Sequence, residues 1–566
     1  MKLSTWKTMV VGGVFAIAGA ASLLEAQLPA FAQGFGAASP APDLILTNGK
    51  IITVDERFTI AQAVAVRGDR VVAVGSTQEI SRLAGPNTRR IDLRGRSVVP
   101  GLIDNHTHFM RSGETWTEEV RLDGVESRKQ AVEMLRAKAK AAAPGQWIFT
   151  LGGWSRYQFT DDKKPFTRDE LDQIAPNNPV HLQEAYFRTY LNSRGIQAAG
   201  VDAMTDKWVV RDNAGKPTGI IDPDGTRIVL TKIPPPSKEK FESSSLAMIR
   251  DWNRAGLTAV GSAGCPNNQL EIYQQWARQG RLDMRVFCIV AFVANDAQAL
   301  DRVLPQIAQL KLFQGDDYLN STAYGEQVYG PVNDNMLDVK PSQKPEDWVQ
   351  LGRVLREMAR ARLPLHVHAT LTASIEGFLD TIEQVNKEYP IRNLRWTLIH
   401  LDQITASHLD RMKKVGMYAA VHARPTILGG IFNEIHGERS YDMPPLKLVQ
   451  DSGITWGFGT DTTVVDQFRP FTTLYWAVTG KMVGGTKVLR QTISREDALI
   501  AHTRKNAYFH FQENNLGSIQ PGKMADLVVI DRDYLTVPAD QIKDITPLMT
   551  MVGGRIVYDA PNLKSQ

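Results

Sequence analysis

The run Val99-Pro100-Gly101-Leu102-Ile103-Asp104-Asn105-His106-Thr107-His108 sets the strongest limit on what this chain can fold into. An apolar stretch punctuated by Pro-Gly reads as a buried strand, and side chains two apart on a strand share a face. His106 and His108 therefore leave the strand end together, and imidazole is the commonest metal-binding side chain. A lone His-x-His pair is weak evidence. At the end of a buried strand, with further candidate ligands downstream, it predicts a metal site.

Apolar strands alternate with helical patterns through the middle of the chain, the rhythm of βα units. Strands are predicted at 98–103, 258–262, 285–292, 318–324, 364–368, 395–400, 418–422 and 455–459. Helices are predicted at 297–312, 346–362, 374–388 and 406–415. Eight strands are the number that closes a (β/α)8 TIM barrel, so the expected class is α/β, with the barrel over 98–514. The gap after the first strand is too long for one crossover, which places an insertion at about 114–240 on the catalytic face. Gly152-Gly153-Trp154 and Tyr190-Leu191-Asn192-Ser193 lie inside it.

Both ends of the chain have a different character. Short β-type runs at 43–46, 50–54, 61–67 and 70–74 include a hairpin signal at Gly68-Asp69. Runs at 526–531 and 555–558 are flanked by Pro521-Gly522 and Gly553-Gly554. Together they predict one small β-sandwich domain assembled from 43–97 and 515–562.

Ahead of these lies a secretory pattern. Lys2 and Lys7 precede an apolar run, 9–24, that is followed by Ala30-Phe31-Ala32. This order predicts a signal peptide over 1–32, a linker over 33–42, and a periplasmic or secreted product without stable membrane insertion. The 65 basic and 61 acidic residues leave a net charge of only +4, without a basic stripe, so no nucleic-acid partner is expected. The expected partner is a small-molecule substrate, and homo-oligomerisation stays open. Cys265 and Cys288 make no disulfide framework in so long a chain and are read as buried free thiols.

Barrel enzymes carry their chemistry at the C-terminal ends of strands. His106 and His108 end strand one, His368 ends strand five, His400 ends strand six, and Asp461 follows strand eight. His366 stands two residues before His368 and is assigned to packing or support. For strand four the choice lies between Glu326, just past the predicted strand end, and Lys311 at the end of a helical run. Placement favours Glu326, whose two oxygens could bind one cation or bridge two. His422 and Arg424 follow strand seven and are read either as a carbonyl- or anion-holding pair or as an ordinary surface pair.

The order His-x-His, His, His, Asp resembles the amidohydrolase superfamily. So does Gly517-Ser518-Ile519-Gln520-Pro521-Gly522-Lys523-Met524-Ala525-Asp526-Leu527. The insertion motifs are similar to the amidohydrolase-3 branch, that of N-substituted formamide deformylase-like hydrolases. That branch usually has Lys followed by Asp-Gly at strand four, which Lys311-Leu312-Phe313 only partly imitates. This chain also departs from it at Ala185–Tyr190, at Gly261–Gly264 and at Leu371-Thr372, all positions near substrate. The resemblance implies a site for one or two Zn2+ ions, with Mn2+ and Fe2+ suiting the same donors. It implies hydrolysis of an amide, formamide or cyclic amide by a metal-activated water, with Asp461 as proton shuttle and His422 at the oxyanion. Esters, lactones and carbamates obey the same mechanism. Deamination or decarboxylation on the same scaffold and a non-catalytic exported binding protein are the rival readings.

Overall fold

Gly101 divides what the sequence presents as one strand. In the computed structural model, which describes residues 40–561, Ser97–Pro100 pairs within a small sheet and the first barrel strand begins only at Leu102. A Cβ at Gly101 would lie 2.1 Å from Thr258 Oγ1, so only glycine lets the chain cross from one sheet to the other here. The expected strand 98–103 is corrected accordingly. The predicted signal segment and residues 33–39 of the linker lie outside the described residues.

Eight parallel strands then follow in chain order: β1 Leu102–Thr107, β2 Leu257–Ala263, β3 Arg285–Val290, β4 Leu319–Glu326, β5 Leu365–Ala369, β6 Thr397–His400, β7 Tyr418–His422 and β8 Trp456–Gly459. Each pairs with the next in parallel register, forming the TIM barrel. Strand β4 extends to Glu326, and β3 stops at Val290 rather than 292. The β8–β1 seam is held largely by hydrogen bonds outside the regular ladder. Asn506 Nδ2 donates to the carbonyls of Ile103 at 2.5 Å and Phe458 at 2.7 Å, and Asp461 N donates to His106 O at 2.9 Å. Outer helices include Ala297–Gln309, Pro345–Arg360, Thr372–Glu388 and Ala406–Val415, close to their predicted bounds.

The chain ends do assemble one small domain. A six-stranded sheet joins Ile60–Ala61, Lys50–Ile52 and Ser97–Pro100, in that spatial order, to Leu527–Ile530, Pro547–Val552 and Arg555–Asp559 through the antiparallel pairing of Ser97–Pro100 with Leu527–Ile530. A four-stranded sheet of N-terminal strands completes the pair, including the hairpin Ala63–Arg67/Arg70–Gly75. Leu46, Val64, Val98, Leu527 and Met551 share the buried core of this domain. The insertion builds its own five-stranded sheet, with Ile148–Leu151, Val180–Glu184 and Arg188–Leu191 at one side. It ends before the helix Lys238–Arg254, whose Met248, Ile249 and Trp252 belong to the barrel core. Among the described residues no helix is long and apolar enough to cross a membrane.

Cys265 and Cys288 are not free thiols. They form a disulfide that ties the segment after β2 to β3, with the Cα atoms 5.9 Å apart. The sequence gives no hint of this because their separation of 23 residues spans a whole helix, which returns the chain to the neighbouring strand.

One buried ion pair joins barrel to small domain. Arg285, at the start of β3, donates from Nε and Nη2 to the two oxygens of Asp526, both at 2.9 Å. Both side chains are almost fully buried, and Asp526 also accepts from Gly553 N. Removing one partner leaves the other charge buried and unpaired. Arg285→Met is expected to cost about 3–5 kcal/mol, read as a lower urea midpoint. Arg356→Met, at the exposed pair with Glu388, should cost less than ~1 kcal/mol. Equal losses in the two variants would show that burial does not govern the Arg285 pair.

Candidate metal centre

The inward faces of the strand ends bring the predicted residues together. His106 lies within β1 and is fully buried, while His108 follows it as the residue preceding the helix Phe109–Glu114. Glu326 ends β4, His368 precedes the last residue of β5, and His400 ends β6. Asp461 stands two residues after β8. Lys311 lies beyond the helix Ala297–Gln309, on the surface, and takes no part.

Glu326 organises the cluster. Its Oε1 lies 3.0 Å from His368 Nδ1 and 3.1 Å from His400 Nε2, whereas Oε2 lies 3.6 Å from His106 Nε2 and 3.8 Å from His108 Nε2. The two oxygens thus face two different imidazole pairs. Asp461 belongs with the second pair, its Oδ1 3.0 Å from His108 Nε2 and 3.6 Å from His106 Nε2. Three of these groups, His106, His108 and Asp461, could hold one cation, and Glu326, His368 and His400 another. Neither ring nitrogen of His106 has a hydrogen-bond partner among the described residues. A buried polar group left unpaired is costly, and a cation between these donors would satisfy it. The residues present therefore fit a divalent metal, singly or as a pair sharing Glu326.

Electrostatics in the metal-free cluster reflect the same crowding. Burial works against the Glu326 carboxylate, but the imidazoles, led by His106, hold its pKa at about 2. Burial likewise disfavours a charged His368, yet Asp334 and Glu326 on either side push it up to about 10. His400 and His422 fall well below the ordinary imidazole range, chiefly through burial.

The supporting shell is where sequence reasoning fell short. Asp334, in the segment after β4, accepts from His368 Nε2 at 2.8 Å and from Leu371 N at 2.6 Å. It fixes the His368 ring so that Nδ1 faces the cluster, the carboxylate–histidine arrangement usual around bound metals. No spacing signal marks it, since it belongs to no strand or helix. Asp104 accepts from the backbone N–H groups of His106 and Thr460 and from the Thr460 hydroxyl, tying β1 to β8 beneath the site. A Cβ at Gly459 would lie 2.8 Å from His422 Nε2 and 2.9 Å from His106 Cβ, so a larger residue would push these rings apart. His400 and Asp461 both have left-handed backbones, φ 77° and 61°, strain that ordinary loops avoid and functional sites keep.

His422 and Arg424 are no surface pair: both are fully buried. Arg424 Nη1 donates to Asp402 Oδ2 at 3.1 Å, and its Nε lies 3.3 Å from Asp461 Oδ2, so its charge is balanced by these two carboxylates. His422 Nδ1 lies 2.6 Å from His400 Nδ1, and its Nε2 has no partner. His366 sits one layer deeper, stacked on His106 at 5.4 Å, as a support.

A barrel with this ligand order and this shared carboxylate matches a known pattern. The model of the Amidohydrolase family aligns with residues 89–558. The chain belongs to that family. N-substituted formamide deformylase of Arthrobacter pascens is 24% identical over 543 residues, covering 91% of this chain and 98% of that protein. Putative amidohydrolase YtcJ of Bacillus subtilis is 24% identical over 90% of this chain and 98% of its own length. Among solved structures, an uncharacterized metal-dependent hydrolase from Pyrococcus furiosus superposes with a TM-score of 0.61 at 22% identity, covering 87% of this chain and 100% of that one. These likenesses place the amidohydrolase fold and leave its substrate open.

The glutamate and lysine readings of strand four separate by experiment. Glu326→Gln keeps volume and removes charge, and should lower the metal content of the purified protein by about one ion per chain while the circular dichroism spectrum is kept. Lys311→Ala should leave metal content unchanged. Full occupancy in Glu326→Gln would remove Glu326 from the ligand set.

Proposed function

We propose that this amidohydrolase uses a divalent metal, zinc by donor type, to hydrolyse a non-peptide carbon–nitrogen bond in an amide, formamide or cyclic amide. The observation that carries this reading is Glu326, with one oxygen toward each imidazole pair and Asp461 beside His106 and His108. A cation held there would acidify the attacking water and polarise the scissile carbonyl.

The chain's own groups supply the proton path. Asp461 Oδ1 faces His108 while Oδ2 is pinned by Arg424, so the carboxylate is fixed at the mouth. It accepts the proton of the attacking water and passes it to the leaving nitrogen, which departs as an amine. The 2.6 Å contact between the two Nδ1 atoms of His400 and His422 requires one proton between them. If His400 carries it, His400 Nε2 is free as a ligand lone pair, and neutral His422 must carry its proton on Nε2. That proton then has no partner in the protein and is available to the developing oxyanion.

This reading predicts that zinc-loaded protein releases amine from at least one member of a panel of formamides, acetamides and cyclic amides. His106→Ala combined with His108→Ala should abolish bound metal and hydrolysis together, with the barrel still folded by circular dichroism. His422→Ala should retain metal and lose at least ~10-fold in kcat, the low end for a group aimed at an oxyanion. Turnover of esters, lactones or carbamates with no amide turned over would sink the carbon–nitrogen assignment.

We further propose that the protein is exported to the periplasm or beyond. The charged, apolar and Ala-Phe-Ala order of residues 1–32 supports this, and so does the Cys265–Cys288 disulfide, since such bonds persist in oxidising compartments. N-terminal sequencing of protein from the periplasmic fraction should begin near Gln33. A chain retained in the cytoplasm and starting at Met1 would overturn it.

A further inference from the structure

The mouth carries a cation that the metal site does not use. Arg111 lies three residues after His108, on the helix Phe109–Glu114, and is half-buried. Its Nη1 donates to the Tyr186 hydroxyl at 3.0 Å, and it forms no ion pair among the described residues. The acidic groups whose field reaches it are Asp461 and Glu114. Both are committed elsewhere, Asp461 to His108 and Arg424, and Glu114 to Gln269. A half-buried guanidinium keeps an open side on which it can take a further anionic partner. Here the partner is a neutral phenol, which leaves most of the donor fork for something else.

Tyr186 arrives from the insertion. It stands in the turn between Val180–Glu184 and Arg188–Leu191, and Ala185 beside it is buried with Ile427, Val464 and Met443. That packing holds the turn against the segments after β7 and β8. The barrel's first helix and the tip of the insertion hairpin thus meet over the cluster, one supplying a cation and the other a hydroxyl.

We propose that Arg111 and Tyr186 form an anion subsite, and that the substrate is an amide carrying a carboxylate within reach of its scissile carbonyl. This rests on the metal-dependent hydrolase reading above. Arg111 would take the carboxylate through two parallel N–H donors, the geometry in which guanidinium binds carboxylates best. Tyr186 would hold the guanidinium plane while its own proton turns to the ligand.

The test uses binding, so it does not depend on finding the substrate. Zinc-loaded protein is titrated calorimetrically with succinate, glutarate and adipate, each against the monocarboxylate of equal chain length. A monocarboxylate can engage the metal or Arg111 but not both, whereas a dicarboxylate of fitting length bridges them. The best dicarboxylate should bind at least ~10-fold tighter than its monocarboxylate, the gain of one charge-assisted bidentate contact. In Arg111→Met the two should agree within about twofold. Arg111→Lys should keep part of the difference, and thermal melting of each variant reports whether it is folded. Equal binding of the pair by the wild type, including no binding of either, overturns the subsite, as does a preference that survives in Arg111→Met. A protein that shows the dicarboxylate preference but hydrolyses no amide would keep the subsite and refute the reaction.

Discussion

Everything at the barrel mouth depends on one carboxylate. Glu326 spans both imidazole pairs with a different oxygen for each, more closely than Asp461, whose Oδ2 comes within 3.8 Å of His400 Nδ1. Two cations a few ångströms apart repel strongly in a low-dielectric site, so a pair can be held only if negative charge lies between them. Without metal, the same charge must be balanced by protons. That is the meaning of His368 at about 10, an imidazolium clasped between Asp334 and Glu326. Metal binding at these donors is therefore an exchange of protons for a cation.

Holding the cluster still is the task of the barrel seam. Asn506 bonds to the backbone of both β1 and β8 and to Asn105, while Asp104 gathers Thr460 and His106. His106 and Asp461, which belong to one candidate cation group, sit on opposite sides of this seam. The left-handed backbone at Asp461 is tolerable because its N–H is spent on His106 O. Gly152 and Gly153 extend the same logic to the insertion. Both have left-handed backbones, and Gly153 N donates to Val464 O at 2.9 Å, so the insertion's backbone lies directly against the segment after Asp461. A Cβ on Gly152 would be 2.3 Å from that carbonyl, which excludes any other residue without a shift.

What was legible in the sequence follows from what period and order can encode. The clustered residues stand at strand ends, and strand ends show as the close of apolar runs, so the pattern alone locates His106, His368, His400 and Asp461. Glu326 was separable from Lys311 because a helical period runs up to one and a strand up to the other. The first barrel strand begins later than the apolar pattern indicates because Val98–Pro100 and Leu102–Ile103 are equally apolar. Only the close approach of Thr258 to Gly101 reveals that they belong to different sheets. Asp334 and the Cys265–Cys288 pair were invisible for another reason. Each depends on where a loop or a crossover returns, which tertiary packing decides and local pattern does not record.

The division of labour between barrel and insertion has a thermodynamic side. Replacing a cluster residue disturbs buried charges that compensate one another, and the penalty reaches both metal and fold. The turn Ala185-Tyr186-Phe187 is different. Its position is secured by Ala185, buried among Ile427, Leu428 and Val464, and by the hydrogen bond from Phe187 N to Glu184 O. Tyr186 itself stays substantially exposed, so its side chain contributes little to the packing that fixes the turn. A residue held in place by its neighbours but not needed by them can change with almost no structural cost. The turn that carries Tyr186 is thus freer to vary than the strand ends that carry the histidine and carboxylate cluster, where every neighbour resists change.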